Sequence, residues 1–496
     1  MISRAPRGVG LVVFCSALAL YLLTAGGSLT STDAVVTFDL TSSLVERHSI
    51  ALSGNVLGLD ANRGVDGRYY SQYGIGQSIY NIPFYLAGKA AAHLLPRRIG
   101  KPDTLPKAAV ALGSAVAAAF AIVLVWSLAR RLGASPHAAL IAALTAAIAS
   151  PLWPYSKFGF STALTTAILL GAARLVAEAR MRDDARYAAG AGAVLAFGWL
   201  TRHEMALALL PFCAALLIGA RESHSRVPMR HVAALVGVTA VGGVLWAWYN
   251  VARFGSPMSV GYSPLLDGSG YAALLIAPAG SILLFAPIAI VWAAGLARSR
   301  FAASARVLLA GPLLTFYAFY GALADWPGGR SYGPRYLVPS LVLLAPGAAA
   351  LWDAGRPRRR KVLAIACVIG ALLQLPGVLV DYAKVSTDWA RAQSREAVAE
   401  RNWHLSSSPL VLGTEAAVRA VPANVAYLTG ARQPPRVAAT STADDRDFAQ
   451  QLSFSLDFWW LYLVYLHAIR PAAAALFAMV LLSVALAAAR RAWTAG

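Results

Sequence analysis

A short stretch of the sequence, ADWPGGRSYGPRY at residues 324–336, carries groups that could bind an oxyanion together with a hydroxyl-rich ligand. Arg330 and Arg335 provide guanidinium groups, which bind phosphate oxygens through paired hydrogen bonds. Trp326 and Tyr332 offer aromatic faces for stacking, and the glycines allow the chain to turn tightly. The stretch therefore predicts a site that holds a phosphate and a sugar.

Basic residues also occur in three other polar segments between apolar runs, at Lys157, Arg202 and Arg253. Together with Arg330 and Arg335 they could form one clamp for a phosphate or pyrophosphate. Two simpler roles stay open. An arginine at a membrane boundary can extend to lipid headgroups, and Arg202 could pair with Glu204 to hold two helices together.

Two acidic residues, Asp33 and Asp39, lie in the segment STDAVVTFDLTSSLVERHS at residues 31–49. Apolar residues recur there every four positions, which predicts an amphipathic helix on a membrane surface. Asp33 at its start could take a proton from a hydroxyl group as a general base. It could equally cap the helix, as Thr32 could. Both interpretations stay open, and Asp39 is a second candidate on the same helix.

The segment DGRYYSQYGIGQSIYNIPFYLAG at residues 66–88 combines tyrosines with side-chain amides. Tyrosines at a membrane boundary often form an interfacial aromatic belt. Side-chain amides beside glycines instead favour a backbone that bends close to a ligand whose hydroxyl groups form hydrogen bonds with the amides. The candidate sugar or acceptor residues here are Tyr69, Tyr70, Gln72, Tyr73 and Gln77.

These residues belong to a chain whose composition is that of a membrane protein. Of its 496 residues 58% are hydrophobic and 13% charged, and the mean hydropathy is +0.58. Soluble domains average about 25% charged residues. The net charge of +20 comes from short basic clusters between apolar runs, which does not favour nucleic-acid binding. The three cysteines show no metal-ligand spacing, so we expect no metal or other cofactor.

Apolar runs long enough to cross a membrane predict about 12 transmembrane helices. We place them near 8–26, 107–129, 137–153, 160–179, 187–201, 204–220, 231–250, 272–296, 304–323, 335–352, 361–381 and 467–489. If both termini are cytosolic, the loops predicted on that side are all basic, as the positive-inside rule requires. The candidate residues then share the outer face.

This topology divides the chain into a transmembrane core at 1–381, an outer-face segment at 382–466 and a final helix with a cytosolic tail at 467–496. Residues 27–106 form a large first outer loop with interfacial or re-entrant helices. Its basic residues are the exception to the positive-inside rule. They could contact lipid phosphates or simply be solvated. They are Arg97, Arg98, Lys101 and Lys107.

Four strings, taken together, resemble the GT-C glycosyltransferases. They are TDAVVTFDLTSSLV, DGRYYSQYGIGQSIYNIPFYL, YNVARFGSPMSVGY and DWPGGRSYGPRYLVPSLVLLAP. The nearest branch contains the protein O-mannosyltransferases and the lipid A aminoarabinose transferase. The likeness extends from about residue 30 to 345. It implies an all-α bundle of roughly a dozen membrane helices with interfacial helices after the first span.

The resemblance also implies an activity. A single sugar, such as mannose or arabinose, would pass with inversion from a polyprenyl-phosphate donor to a protein, lipid or polysaccharide hydroxyl, outside a bacterial inner membrane. It implies that Asp33 is the base or acceptor-orienting acid. Relatives often have paired acids there, whereas Ala34 follows Asp33 here, so Asp39 is a possible substitute.

Other functions are compatible with parts of the sequence. A lipid-linked glycan flippase would usually have ionisable residues at mid-membrane and two related halves. An O-antigen ligase-like transferase would move a whole glycan from a pyrophosphate carrier. A non-catalytic scaffold would not need so many outer arginines.

Overall fold

The computed structural model describes residues 8–53, 56, 61–94, 102–223, 228–435, 452 and 454–495. The described chain is mostly helical, as predicted, and includes one antiparallel hairpin. Arg97, Arg98 and Lys101 lie outside the described residues, so their predicted lipid contacts are not addressed by the structure.

The first part of the chain contains the segment with Asp33 and the segment with Gln72 and Gln77. It comprises α1 (Val9–Thr24), α2 (Thr32–Ser42), a π-helical turn (Ser43–Arg47), β1 (Ala61–Arg63), β2 (Tyr69–Ser71) and α3 (Gly76–Leu94). The hydroxyl of Ser31 accepts a hydrogen bond from the Ala34 amide at 3.2 Å. Ser31 is therefore the N-cap of α2, rather than Asp33 or Thr32, and Asp33 lies in the first turn.

The apolar face of α2 packs inside the protein. Val36 and Leu40 are fully buried in a small cluster with Leu52 and Val56. The predicted helix is present, but this face contacts protein rather than a membrane surface.

The central bundle contains α4 (Thr104–Arg131), α5 (Pro136–Ala149), α6 (Leu152–Tyr155), α7 (Ser161–Arg182), α8 (Ala185–Thr201), a 3-10 turn (His203–Ala208), α9 (Leu209–Glu222) and α10 (Pro228–Phe254). Helix α4 packs on α1, α5 and α7, and α8 packs on α7 and α10. Small residues allow these close approaches. A Cβ on Gly242 of α10 would lie 2.5 Å from Ala196 Cα of α8.

The next part contains α11 (Gly270–Ile276), α12 (Ile282–Phe285), α13 (Ile288–Ala297), α14 (Ala303–Gly321), a 3-10 turn (Arg335–Leu337), α15 (Val338–Val342), α16 (Pro346–Asp353) and α17 (Pro357–Leu379). The predicted single span at 272–296 is wrong, since α11, α12 and α13 share this region. Ala277 precedes Pro278 and is extended, as residues before proline usually are, and Pro287 is the N-cap of α13.

The final part contains α18 (Tyr382–Arg391), α19 (Arg395–Glu400), 3-10 turns (Arg401–Trp403 and Leu405–Ser407), α20 (Pro409–Leu428), α21 (Trp459–Tyr465) and α22 (Pro471–Ala495). Helix α20 packs on α17 and α18, and α22 packs on α1. The indole groups of Trp459 and Trp460 donate hydrogen bonds to the carbonyl oxygens of Leu22 and Leu23, both at 2.9 Å. The predicted outer-face segment is thus attached to the end of α1.

Seven described helical segments are long and apolar enough to cross a membrane. They are Thr104–Arg131, Ser161–Arg182, His203–Glu222, Met229–Phe254, Ala303–Gly321, Pro357–Leu379 and Pro471–Ala495. An eighth arises if the pair Arg335–Val342 and Pro346–Asp353, bent by 40°, forms one span. Shorter apolar helices include α1, α5 and α13. A multi-pass membrane protein follows, while the full count of about 12 stays a prediction.

Loops that the sequence assigns to the cytosol contact one another at one end of the bundle. Glu178 pairs with Arg131 at 2.7 Å and with Arg174 at 2.5 Å. The Ser135 amide donates to Asp353 at 2.8 Å, which joins α5 to α16.

Candidate functional site

An ion pair between Asp33 and Arg335 joins the first turn of α2 to the turn before α15. Arg335 is 6% exposed, its guanidinium carbon lies 4.1 Å from the centre of the Phe160 ring, and Nη1 donates to the Gly328 carbonyl at 3.1 Å. Its Nε–H is buried without a hydrogen-bond partner in the described part of the chain. The pair is rigidly held, and the arginine keeps one donor unused.

Two glycines explain why the chain can place Arg335 there. Gly328 and Gly333 have φ values of 67° and 76°, a region that side chains rarely adopt. A Cβ on Gly328 would lie 2.9 Å from the Tyr336 ring, and one on Gly333 would lie 2.8 Å from Phe285 Cβ. The GGRSYGPRY string therefore needs these glycines both for its turns and for its close packing.

A cavity of about 390 Å³ opens on one side of the Asp33–Arg335 pair. We call it the basic cavity. Its lining includes five cationic side chains and two carboxylates: Arg330, Arg335, Lys384, Arg391, Arg401, Asp33 and Asp388. Arg330 Nη1 donates to the Thr387 hydroxyl at 2.7 Å, which connects the glycine-rich loop to α18. This excess of positive charge suits an anionic ligand such as a phosphate.

A smaller cavity of about 90 Å³ also contacts Asp33 and Arg335. We call it the amide cavity, and the polar side chains in its lining include Gln72, Tyr73, Gln77, Thr201, Arg202, His203, Glu204, Tyr262 and Tyr336. Gln77 Oε1 is buried and accepts no hydrogen bond from the described residues. Such a lining suits the hydroxyl groups of a sugar.

Arg202 is held within the amide cavity by several partners. It forms an ion pair with Glu204 and donates to the Tyr320 hydroxyl at 3.0 Å. Its guanidinium carbon lies 4.6 Å from the centre of the Tyr336 ring. The Arg202–Glu204 pair considered from the sequence is thus present, and it borders the site.

Two basic candidates, Lys157 and Arg253, are placed in the protein core rather than on either cavity. Lys157 is fully buried and lies 3.0 Å from Asp457. Arg253 is 1% exposed, and it donates to the Ser71 carbonyl and to the Asn250 side chain. These contacts give no support to phosphate binding by either residue, because each positive charge is already enclosed by protein.

The predicted aromatic residues are also spread out. Tyr73 lines the amide cavity, whereas Tyr332 is fully buried, with its ring 5.0 Å from that of Phe285. Trp326 is 4% exposed and lies 6.5 Å from the Trp403 ring. Tyr332 and Trp326 therefore pack in the core, so their predicted stacking on a sugar is not supported.

Of three further candidates, one is exposed and two have local partners. Tyr69 is exposed on β2, and the buried Tyr70 donates its hydroxyl proton to Asp66 at 2.7 Å. Asp39 accepts hydrogen bonds from the Ser53 amide at 2.7 Å and from the Ser53 hydroxyl. Asp39 thus stabilises the turn after α2, and of the two candidate acids it is Asp33 that borders both cavities.

The contribution of α18 to the basic cavity was not predicted from the sequence. Lys384, Asp388 and Arg391 line it, and with Thr387 they recur at the three- and four-residue spacing of one helical face. That periodicity was the available signal, although nothing local indicates where the helix packs.

A buried group of charges lies behind the site, at the start of α18. Burial and the neighbouring Asp457 raise the pKa of Asp381 to about 6, while burial lowers the pKa of Lys157. In the described residues no group of three or more His, Cys, Asp and Glu side chains could hold a metal ion. The expectation of a metal-free site stays a prediction.

In comparisons with known proteins, the membrane bundle is similar to membrane glycosyltransferases. A family model described as dolichyl-phosphate-mannose-protein mannosyltransferase matches residues 105–248, which correspond to most of α4 to α10. No curated protein sequence matches the chain significantly.

Solved structures show the same fold over nearly the whole chain. ArnT from Cupriavidus metallidurans bound to undecaprenyl phosphate is 16% identical, with a TM-score of 0.50, over 90% of this chain and 88% of that protein. Its apo form is 17% identical, with a TM-score of 0.52, over 89% and 83%. At this identity the likeness establishes the fold, while the reaction must be argued from the site.

Proposed function

We propose that the protein is an inverting membrane glycosyltransferase that moves a single sugar from a polyprenyl phosphate to a hydroxyl group at the outer face of the membrane. The observation that carries the proposal is the position of the Asp33–Arg335 pair. It borders a cavity rich in cations on one side and a cavity rich in amides and hydroxyls on the other.

The basic cavity would receive the phosphate of the donor. Arg335 keeps its buried Nε–H for a new partner, and Arg330 lines the same cavity. Guanidinium groups stabilise a departing phosphate because negative charge grows on its oxygens as the glycosidic bond breaks. A donor that arrives through the membrane needs no nucleotide-binding domain.

Asp33 would act on the acceptor. Its carboxylate accepts the proton of the acceptor hydroxyl while that oxygen bonds to the anomeric carbon. The bond between the anomeric carbon and the phosphate oxygen breaks, and the lipid phosphate leaves with the electron pair. Gln72, Tyr73 and Gln77 would hold sugar hydroxyls in the amide cavity. No covalent enzyme intermediate is needed, so the anomeric configuration inverts.

The predicted topology belongs to the same proposal. About twelve spans, with both termini in the cytosol of a bacterium, put the two cavities on the outer face of the inner membrane. The contacts of Glu178 and Asp353 support it, since they join basic loops at the opposite end of the bundle. Proteins, lipids and polysaccharides are the acceptor classes to test.

Native mass spectrometry of the purified protein titrated with undecaprenyl phosphate tests the proposal. We expect wild type to bind this lipid in preference to phosphatidylglycerol, with at least about ten-fold weaker binding in Arg335→Ala and Arg330→Ala, since charge-assisted hydrogen bonds contribute about 1.5–3 kcal/mol. Arg298→Ala is the control, because Arg298 is exposed and lies in a predicted cytosolic loop.

If wild type shows no preference for undecaprenyl phosphate, the phosphate site is wrong. A flippase for another lipid-linked glycan would then become the better hypothesis. Equal losses in Arg298→Ala would show that the binding depends on surface charge rather than on the cavity.

A further inference from the structure

Helix α18 has two faces, and each lines a different cavity. Ala383, Thr387 and Arg391 face the basic cavity, whereas Val385 and Trp389 face a second cavity of about 550 Å³ between α18 and α20. We call the second one the acidic cavity. Its volume lies within the range of about 300–1,000 Å³ that is usual for ligand sites.

The acidic cavity differs from the basic cavity in charge. Four carboxylates and two cationic side chains line it: Asp381, Asp388, Glu415, Asp457, Lys384 and Arg419. Aromatic side chains complete the walls, namely Trp389 on α18 and Phe454 and Tyr462 on the opposite side. The excess of negative charge opposes phosphate and anionic lipid headgroups.

The two cavities meet at one ion pair. Lys384 and Asp388, one turn apart on α18, line both of them and pair with each other. The Lys384 side chain is 14% exposed and that of Asp388 is 47% exposed. The two cavities therefore adjoin at this pair, and Asp33 lines the basic one.

We propose that the acidic cavity binds the acceptor, and that this acceptor is an uncharged glycan chain whose end reaches Asp33. The inference rests on the proposed glycosyl transfer and specifies its second substrate. Ionised carboxylates accept hydrogen bonds from sugar hydroxyls, and aromatic faces pack against the apolar faces of sugar rings.

A peptide acceptor fits this cavity less well. Extended peptides commonly bind by pairing with the open edge of a sheet. The described residues that line this cavity belong to the helices α18 and α20 and to the segment around Phe454 and Asp457, and none of them lies in a strand. Recognition must therefore come from side chains, and the side chains present are carboxylates and aromatic rings.

The test measures binding of neutral oligosaccharides to the full-length protein in nanodiscs. The probes are mannohexaose, maltohexaose and arabinofuranohexaose, with a neutral serine- and threonine-containing hexapeptide for comparison. We expect wild type to bind at least one hexasaccharide. Trp389→Ala should weaken that binding about ten-fold, because loss of an aromatic contact costs on the order of 1 kcal/mol or more.

A second variant distinguishes a loss of glycan binding from a folding defect. Glu415 is exposed on α20, so Glu415→Gln should leave the fold intact and weaken glycan binding several-fold. Matched controls are Trp403→Ala and Glu400→Gln, because both residues are exposed in the same part of the chain and lie outside the acidic cavity. Both controls should bind glycan as wild type does.

The proposal is overturned if no hexasaccharide binds, if Trp389→Ala and Glu415→Gln bind like wild type, or if the peptide binds in a Trp389-dependent manner. Undecaprenyl phosphate binding separates this result from the proposed transfer reaction. Trp389→Ala should bind that lipid normally. If wild type binds glycan through Trp389 but does not bind the lipid, the glycan site stands and the transfer reaction fails.

Discussion

Two ion pairs of the same chemical type lie near each other in this protein and have opposite surroundings. Asp33 and Arg335 border two cavities, and the Asp33 side chain is 19% exposed. Asp457 and Lys157 have side-chain exposures of 1% and 0%, although Asp457 also lines the acidic cavity. Both pairs join residues that are far apart in the sequence and lie in segments predicted to face outward.

The difference shows what makes an ion pair available for chemistry. Arg335 has a spare donor and an adjoining space for an anion, whereas the fully buried Lys157 also donates to the Val378 carbonyl. Removing one partner of such a buried pair leaves an uncompensated charge inside the protein. We therefore expect loss of reaction from changes at the first pair and loss of stability from changes at the second.

The largest effect is expected for Asp33→Asn. The amide cannot accept a proton from the acceptor, so transfer should fall by up to about 10⁴-fold, while the amide oxygen can still accept a hydrogen bond from Arg335. The measurement is release of undecaprenyl phosphate from a panel of its mannosyl, arabinosyl and aminoarabinosyl derivatives. Asp39→Asn is the matched variant and should retain transfer. An equal loss in a folded Asp39→Asn protein would assign catalysis to Asp39.

Next in size is the effect of Lys157→Met. Removing one partner of a buried pair costs roughly 3–5 kcal/mol, because Asp457 loses its counter-charge. Thermal unfolding in detergent should show a clear fall in the midpoint temperature. Lys384→Met, which breaks a pair with the more exposed Asp388, should cost no more than about 1 kcal/mol. Equal losses in the two variants would contradict the contrast between enclosed and accessible pairs.

A smaller effect should appear in the pH dependence of stability. Since the folded pKa of Asp381 is raised to about 6, the protonated acid is favoured in the folded state. The resulting contribution to the free energy of unfolding is fully present below the ordinary pKa of about 4. It is lost as the pH rises through 6, which lowers the free energy of unfolding by roughly 1–3 kcal/mol.

Asp381→Asn removes this proton equilibrium and can still cap α18, where Asp381 accepts from the Lys384 amide at 3.0 Å. The midpoint temperature of thermal unfolding of wild type should therefore fall relative to that of Asp381→Asn between pH 4 and 7. Parallel curves would mean that the nearby Lys157 keeps Asp381 ionised throughout.

The smallest effect is expected for Phe160→Leu. The ring under Arg335 contributes about 0.5–1 kcal/mol through its cation–π contact, and its loss should weaken undecaprenyl phosphate binding about three- to five-fold. Phe120→Leu is the control, since Phe120 is 52% exposed on the central bundle. Unchanged binding in Phe160→Leu would show that Asp33 and Gly328 alone orient the arginine.

The sequence was most informative where a local pattern determines the structure. The repeat at Val36 and Leu40 predicted α2, and the glycine-rich string predicted the tight turns beside Arg335. Gln72 and Gln77 were recognised as ligand-type amides beside glycines, and both line the amide cavity. The breaks before Pro278 and Pro287 were missed, although the two prolines were an available signal.

What could not be predicted depends on distant partners. Nothing near Lys157 indicates that Asp457 will enclose it, so its charge looked as available as that of Arg335. Tyr332 and Trp326 resemble their neighbours in the glycine-rich string, yet long-range packing buries both. The role of α18 could not be predicted for the same reason, since its polar face lines the cavity only because the folded chain places it beside the Asp33–Arg335 pair.

Helix α18 is the wall that the basic and acidic cavities share, and this has a thermodynamic consequence. Any ligand that displaces the helix from one side changes the shape of the cavity on the other side. Linkage is reciprocal, so the factor by which donor lipid alters glycan affinity must equal the factor by which glycan alters lipid affinity. Occupancy of the two substrates would then be cooperative, with ten residues of helix as the coupling element.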